Sequence, residues 1–146
     1  MSSPLRAQWV QMGSHLLETG SVAMSSDGNR IVVGNPFVSL GLVRVYQWDN
    51  SNWNQLGTDI FGISNDYEFA TKVSLSADGA TVAVGTPRRM GFLQIFGSAP
   101  AGPAGTARDD AGGQVNIYRW NGSRWIQMVA AIEDGSGNYD FGKVVS

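Results

Sequence analysis

One short pattern occurs twice in this chain, and a pattern that returns constrains a fold more tightly than any single motif. Residues 22–36 read VAMSSDGNRIVVGNP and residues 73–87 read VSLSADGATVAVGTP, an offset of 51 residues that keeps Val, Ser, Asp-Gly, Val, Gly and Pro in register. Each copy is an alternating run, a turn and an apolar run that closes on Gly-x-Pro, which is the signature of a β-hairpin. Asp27-Gly28 and Asp78-Gly79 suit a tight turn with positive φ, because glycine has no Cβ to clash there. Val73 and Leu75 fall on one face of the first strand, with Lys72, Ser74 and Ser76 on the other. The return strands are apolar on both faces, through Ile31, Val32 and Val33 and through Val82, Ala83 and Val84. Strands of that kind are covered on both sides, and the small Ala83 and Gly85 allow close stacking.

A second set of matches lies 72 residues apart. Residues 41–48 (GLVRVYQW) match 113–120 (GQVNIYRW), pairing Val43 and Val45 with Val115 and Ile117, and Tyr46 and Trp48 with Tyr118 and Trp120. Turns at 49–52 and 121–124 lead into WNQLG at 53–57 and WIQM at 125–128, and WVQMG at 9–13 is an earlier copy. These segments read as edge strands, with Trp48 facing Trp53 and Trp120 facing Trp125 across the hairpins. Residues 141–146 (FGKVVS) match 69–74 (FATKVS) at the same offset and predict the start of a further first strand. The chain therefore enters in a fourth-type strand, runs through strands A, B, C and D twice, and ends in a first-type strand.

The expected fold is all-β: antiparallel four-stranded blades, two of them complete, with flanking strands. Residues 1–8 are a disordered start, 9–60 the first repeat, 61–132 the second, and 133–146 the start of a third. Residues 88–112 interrupt the second repeat as a Pro/Gly/Ala-rich flexible insertion, in which 91–97 (GFLQIFG) reads as an extra strand or a decayed strand C.

Composition removes several functions. A chain of 146 residues can build one core, and its net charge of -2 with 15% charged residues offers no basic face for nucleic acid. The one basic pair, Arg88-Arg89, reads as a solvated loop. There is no cysteine, so disulfides and thiolate chemistry are excluded. No apolar run approaches the ~18 residues of a membrane span. The first residues, MSSPLRAQW, lack the charged and apolar regions of a signal peptide. Either the protein is not exported by that route or this is a piece of something longer.

Short antiparallel strands in fours, repeated around a buried middle strand, are the sequence habit of a β-propeller. Phe69-Ala70 ahead of a strand, Val84-Gly85-Thr86-Pro87 after the next, then Gly113-Gln114-Val115-Asn116-Ile117-Tyr118, and Phe141-Gly142 one repeat on, resemble the FG-GAP repeats of integrin α-type propellers. The copies depart from the pattern where Ala70 replaces the glycine and where Glu18-Thr19 replaces Phe-Gly altogether. The resemblance covers most of residues 9–146. It implies a propeller that binds proteins, matrix components or sugars, placed outside the cell or at its surface, with calcium between strands in some members. Complete propellers have about four to eight blades. Two blades thus imply a remainder supplied by a longer chain or by copies of this one as a homo-oligomer.

For calcium, Asp134, Ser136, Asn138 and Asp140 place oxygen ligands at alternate positions with glycines between. The loop one repeat earlier offers Gly62, Ser64, Asp66 and Glu68 and lacks the first ligand, so a polar inter-blade turn is the competing reading. His15 is the one imidazole, and no Gly-x-Ser-x-Gly elbow accompanies the many serines, so catalysis is not expected. The glutamates are Glu18, Glu68 and Glu133. Trp48, Trp53, Trp120 and Trp125 could stack on sugar rings, but their fixed places in each repeat favour a scaffold role. Asn121-Gly122-Ser123 is an N-glycosylation sequon in an expected exposed turn. Ligand contacts are expected on loops 61–68, 88–112 and 133–140, with Asp66, Tyr67, Arg88, Arg89 and Tyr139 as the candidate residues. The reading is a non-catalytic recognition module for protein or adhesive contacts. The alternative is a carbohydrate-binding, lectin-like propeller or the propeller of a polysaccharide-active enzyme.

Overall fold

The computed structural model of the chain describes residues 8–38, 40–63, 68–87, 112–135 and 140–146. Among them are ten strands and no helix. The first unit holds β1 (Ser21–Met24), β2 (Arg30–Asn35), β3 (Leu42–Trp48), β4 (Trp53–Gln55) and β5 (Ile60–Phe61). The second holds β6 (Lys72–Leu75), β7 (Thr81–Thr86), β8 (Gln114–Trp120), β9 (Trp125–Gln127) and β10 (Ile132–Glu133). Each unit is one antiparallel sheet, ordered β1-β2-β3-β4 with β5 also on β3, and β6-β7-β8-β10 with β9 also on β8. The registers repeat as the sequence does: Val22 opposes Val33 as Val73 opposes Val84, and Trp48 opposes Trp53 as Trp120 opposes Trp125. The facing tryptophans meet with ring centroids 5.2 and 5.5 Å apart.

The turns form as expected, and two other local expectations change. The Asp-Gly turns are four-residue loops, closed by Ser25 N–H to Arg30 O at 2.9 Å and Ser76 N–H to Thr81 O at 2.9 Å. Ser25 and Asp27 hold the loop from inside: the Ser25 hydroxyl donates to Asp27 Oδ1 (2.6 Å) and accepts from Arg30 N–H (2.9 Å). Only the glycines are left-handed, at φ 72° and 66°. Serine and aspartate side chains that bond their own loop favour this turn. First, residues 9–13 and 141–146 form no strand, because a strand needs a ladder partner and neither segment pairs with a described strand. Second, the edge of each sheet carries an added two-residue strand, β5 or β10. Phe61 and Glu133 therefore end strands rather than open loops.

Directly opposed residues share a face, so the registers sort the side chains. Val32, Gly34, Val43 and Val45 of the first sheet face Val82 and Val84 of the second, and all four of these first-sheet residues and both valines are buried. Val32, Val43, Val45, Val82 and Val84 form one cluster with Ile60, Phe69, Ala70 and Val73. The opposite face of the first sheet, with Ile31, Val33, Arg44 and Tyr46, is crossed by the segment that carries Glu18. The doubly apolar middle strand is thus covered on both sides, by a second sheet on one face and by a single segment on the other.

Glycines set how closely the units approach. The Phe69-Ala70 turn lies over Gly34 and Gly41 of the first unit, and the Phe141-Gly142 turn lies in the same way over Gly85 and Gly113. A Cβ on any of these four would meet backbone oxygen of the turn above it. A second seat also occurs twice. Gly13 rests on the Trp48/Trp53 pair and Gly57 on Trp120/Trp125, where an added Cβ would come within 2.8 and 2.7 Å of a ring carbon. The indole N–H of Trp53 donates to Met12 O (3.1 Å) and that of Trp125 to Leu56 O (2.9 Å). The third copy has Val129 at this position, more than half exposed. Between the units, Ser26 N–H donates to Ala77 O (3.0 Å), Val73 N–H to Ser21 Oγ (2.7 Å) and Arg30 Nη1 to Gly79 O (2.9 Å).

Candidate functional site: a cleft between the sheets

Between the end of β5 with the turn before β6 and the β7–β10 end of the second sheet lies a cleft of ≈ 220 Å³. One wall is apolar: Phe61 and Ile63 at the end of β5, and Phe69 from the turn before β6. The other is the polar end of the second sheet: Thr86, Gln114, Asn116 and Tyr118 from β7 and β8, Gln127 from β9, and Ala131 and Glu133 at β10. These side chains share the face because Thr86 opposes Gln114, Val84 opposes Asn116 and Val82 opposes Tyr118.

The polar wall is ordered by its own hydrogen bonds. Gln127 Nε2 donates to Asn116 Oδ1 (3.1 Å), Asn116 Nδ2 to Thr86 Oγ1 (3.2 Å), and Gln114 Nε2 to Glu133 Oε1 (2.8 Å). Asn116, Gln114 and Thr86 are buried, so these carboxamides are fixed in orientation. Burial pushes the Tyr118 phenol above its ordinary pKa, so it stays protonated at neutral pH. Its hydroxyl has no hydrogen-bond partner among the described residues. Glu133 is the one formal charge among the described residues of the lining.

The repeat supplies a comparison inside the molecule. The position of Asn116 is held by Arg44 in the first unit, that of Ala131 by Asp59, and that of Phe69 by Glu18. There the Arg44 guanidinium is gripped by Asp59 in a two-pronged pair (Nε to Oδ1 and Nη2 to Oδ2, both 2.9 Å) and by Glu18 (Nη1 to Oε1, 2.6 Å). Glu18 also accepts the Tyr46 hydroxyl at 2.9 Å, and Gln55 Nε2 donates to Asp59 Oδ1 at 2.7 Å. The paired carboxylates raise the Arg44 pKa further, and Arg44 holds Asp59 below the usual carboxylate range. In the first unit, then, a charged network occupies the position that stands open in the second. Shortening Arg to Asn and Asp to Ala empties the space, and replacing Glu18 by Phe69 removes the acceptor of the tyrosine hydroxyl.

Of the loops expected from sequence to carry contacts, 61–68 contributes Phe61 and Ile63 to the cleft and 133–140 contributes Glu133. Asp66, Tyr67, Arg88, Arg89 and Tyr139 lie outside the described residues, as do Ser136 and Asn138 of the expected calcium loop. Its two ends are described: Asp134 follows β10, and Asp140 Oδ1 pairs with Lys143 Nζ at 2.6 Å. Among the described residues no three acidic or histidine side chains gather as a metal site. The four repeated tryptophans serve as the glycine seats. Sequence reasoning did not single out Gln114, Asn116, Tyr118 or Gln127 as site residues. The signal was present in the aligned repeats, where Arg44/Asn116 and Asp59/Ala131 change together, but its meaning depends on both positions facing one junction.

No helix among the described residues is long and apolar enough to cross a membrane. No protein-family model, no curated protein and no solved structure matches the chain.

Proposed function

We propose that this chain is a non-catalytic recognition module, two blades of an FG-GAP-like propeller, that takes its ligand in the cleft where the blades meet. The propeller reading is supported by how the units stack. The Phe-Ala and Phe-Gly turns sit on glycines of the preceding unit, which gives a physical reason for the FG and Gly-x-Pro elements to recur together. The observation that carries the binding reading is the contrast between sister positions. Arg44, Asp59 and Glu18 plug the first, while Asn116, Ala131 and Phe69 leave the second open with its polar groups prearranged. A mostly preformed concavity with a few fixed polar groups is where small ligands and protruding side chains bind.

Fragment-library screening by amide and side-chain NMR tests this. Binding fragments should cluster on Phe61, Asn116, Tyr118, Gln127 and Glu133. Hits scattered over the surface, or none at the cleft, would refute the assignment.

A further inference from the structure

We infer that the cleft takes an uncharged, hydroxyl-bearing ring of monosaccharide size, a reading that rests on the cleft being the binding site proposed above. Charge comes first. Among the described residues the lining has one carboxylate, Glu133, and no cation, so an anion meets a like charge there with no described cation to offset it. A hard dication finds one carboxylate where it wants several oxygen ligands. A guanidinium or ammonium group is the occupant that the sister position accepts, but it does so between Glu18 and Asp59. Both acids are missing here, replaced by Phe69 and Ala131. Glu133 is the one described acid left to a cation here, and it already accepts from Gln114, so a buried cation is held less well than between two carboxylates.

What remains suits hydroxyl groups. A hydroxyl both donates and accepts, and the wall offers both functions side by side. The Gln127 carboxamide spends its N–H on Asn116 and keeps its carbonyl oxygen, and Glu133 keeps Oε2 after Oε1 accepts from Gln114. The Tyr118 hydroxyl lost its acceptor when the repeat exchanged Glu18 for Phe69, and it donates to whatever enters. Opposite them, the half-exposed Phe61 ring, at 53%, stands beside Ile63 and Phe69. Such a surface desolvates the C–H face of a pyranose while the polar wall takes its hydroxyls. The volume of ≈ 220 Å³ equals the share of about seven waters, enough for one sugar ring and not a chain of them. Further sugars of a glycan would lie outside the cleft.

The test is an NMR titration of the whole chain with methyl glycosides of glucose, galactose, mannose, fucose and N-acetylglucosamine. Methylguanidinium and acetate are the charged comparators. The variant Asn116→Arg with Ala131→Asp writes the first unit's plug into the second, and Tyr118→Phe removes one hydroxyl while leaving the ring. At least one glycoside should give saturable shifts at Gln127, Asn116 and Phe61. Its affinity should fall more than tenfold in the double variant and several-fold in Tyr118→Phe. Should the double variant fail to fold, Tyr118→Phe alone decides. If no glycoside binds while other neutral fragments map to the cleft, the ligand class is wrong and the site stands. Glycoside shifts at the tryptophan pairs instead, or unchanged affinity in folded variants, overturn the inference. A cleft silent to every probe overturns both the inference and the site.

Discussion

Replacing Gly57 by alanine tests the stacking of the two units through one added methyl group. Gly57 is left-handed at φ 81°, and a Cβ there would stand 2.7 Å from Trp120 Cζ3 and 3.1 Å from Trp125 Cδ1. Neither ring can retreat freely, because the pair is packed at 5.5 Å between centroids and Trp125 is tied to Leu56 O at 2.9 Å. The left-handed backbone costs an alanine roughly 1–2 kcal/mol. Overpacking a well-filled contact adds about 1–3 kcal/mol, and the stiffer unfolded chain returns roughly 0.4–1 kcal/mol. The expected loss is about 1–5 kcal/mol, the combined range of those contributions. Gly122→Ala is the control: its φ is 101° and an added Cβ would meet nothing within 4 Å, so it should lose only the backbone part less the same return, about 0–1.6 kcal/mol. Urea unfolding followed by tryptophan fluorescence reads both losses through the shift in midpoint. If Gly57→Ala costs no more than Gly122→Ala, the glycine on the tryptophan pair is not a packing seat and the stacking argument fails.

Other outcomes follow from the same contacts. Gly34→Ala should cost about 2–3 kcal/mol by overpacking, since its Cβ would lie 2.6 Å from Ala70 O and 2.8 Å from Val73 Cγ1; a loss below the error of urea unfolding would remove the other seat. Glu18→Ala leaves Arg44 and Tyr46 short of an acceptor and should cost about 1–2 kcal/mol, less in high salt; a salt-independent change would show that charge plays no part. Acid should weaken the fold in a definite window. Arg44 holds Asp59 below its ordinary 3.8, and the N–H groups of Asn52 and Ser51 hold Asp49 down to about 2. Carboxylates depressed in the folded state stabilise it above their unfolded pKa, and that stability is lost as pH falls through the folded value. The melting temperature should therefore be flat above about pH 5 and fall between about pH 4 and 2, with a smaller fall in Asp59→Asn; an identical pH profile in that variant contradicts the assignment.

Much of the fold was legible because the chain states it twice. The paired offsets located the hairpins β1–β2 and β6–β7, the long β3 and β8, and the facing tryptophans, and each forms where the repeat puts it. What misled was local pattern without a partner. WVQMG at 9–13 and FGKVVS at 141–146 copy segments that are strands elsewhere, yet pairing belongs to two segments and not to one. Conversely β5 and β10 span two residues each, too short for any alternation to register, and they form because β3 and β8 outrun β4 and β9. The cleft was hidden for a different reason. A repeat draws attention to what stays the same, whereas the cleft comes from what changes: Arg44 to Asn116, Asp59 to Ala131, Glu18 to Phe69. Those differences become chemistry only once the register places them at one junction.

The most direct measurement of the central claim sets two proteins side by side: the native chain and Asn116→Arg/Ala131→Asp, each screened with the same neutral fragments by NMR. The account predicts a folded variant whose chemical shifts away from the cleft match the native ones, with fragment binding at Gln127 and Tyr118 present in the native chain and gone in the variant. Equal binding by both at those residues, or binding by neither, would contradict the claim that the second junction is an open ligand site.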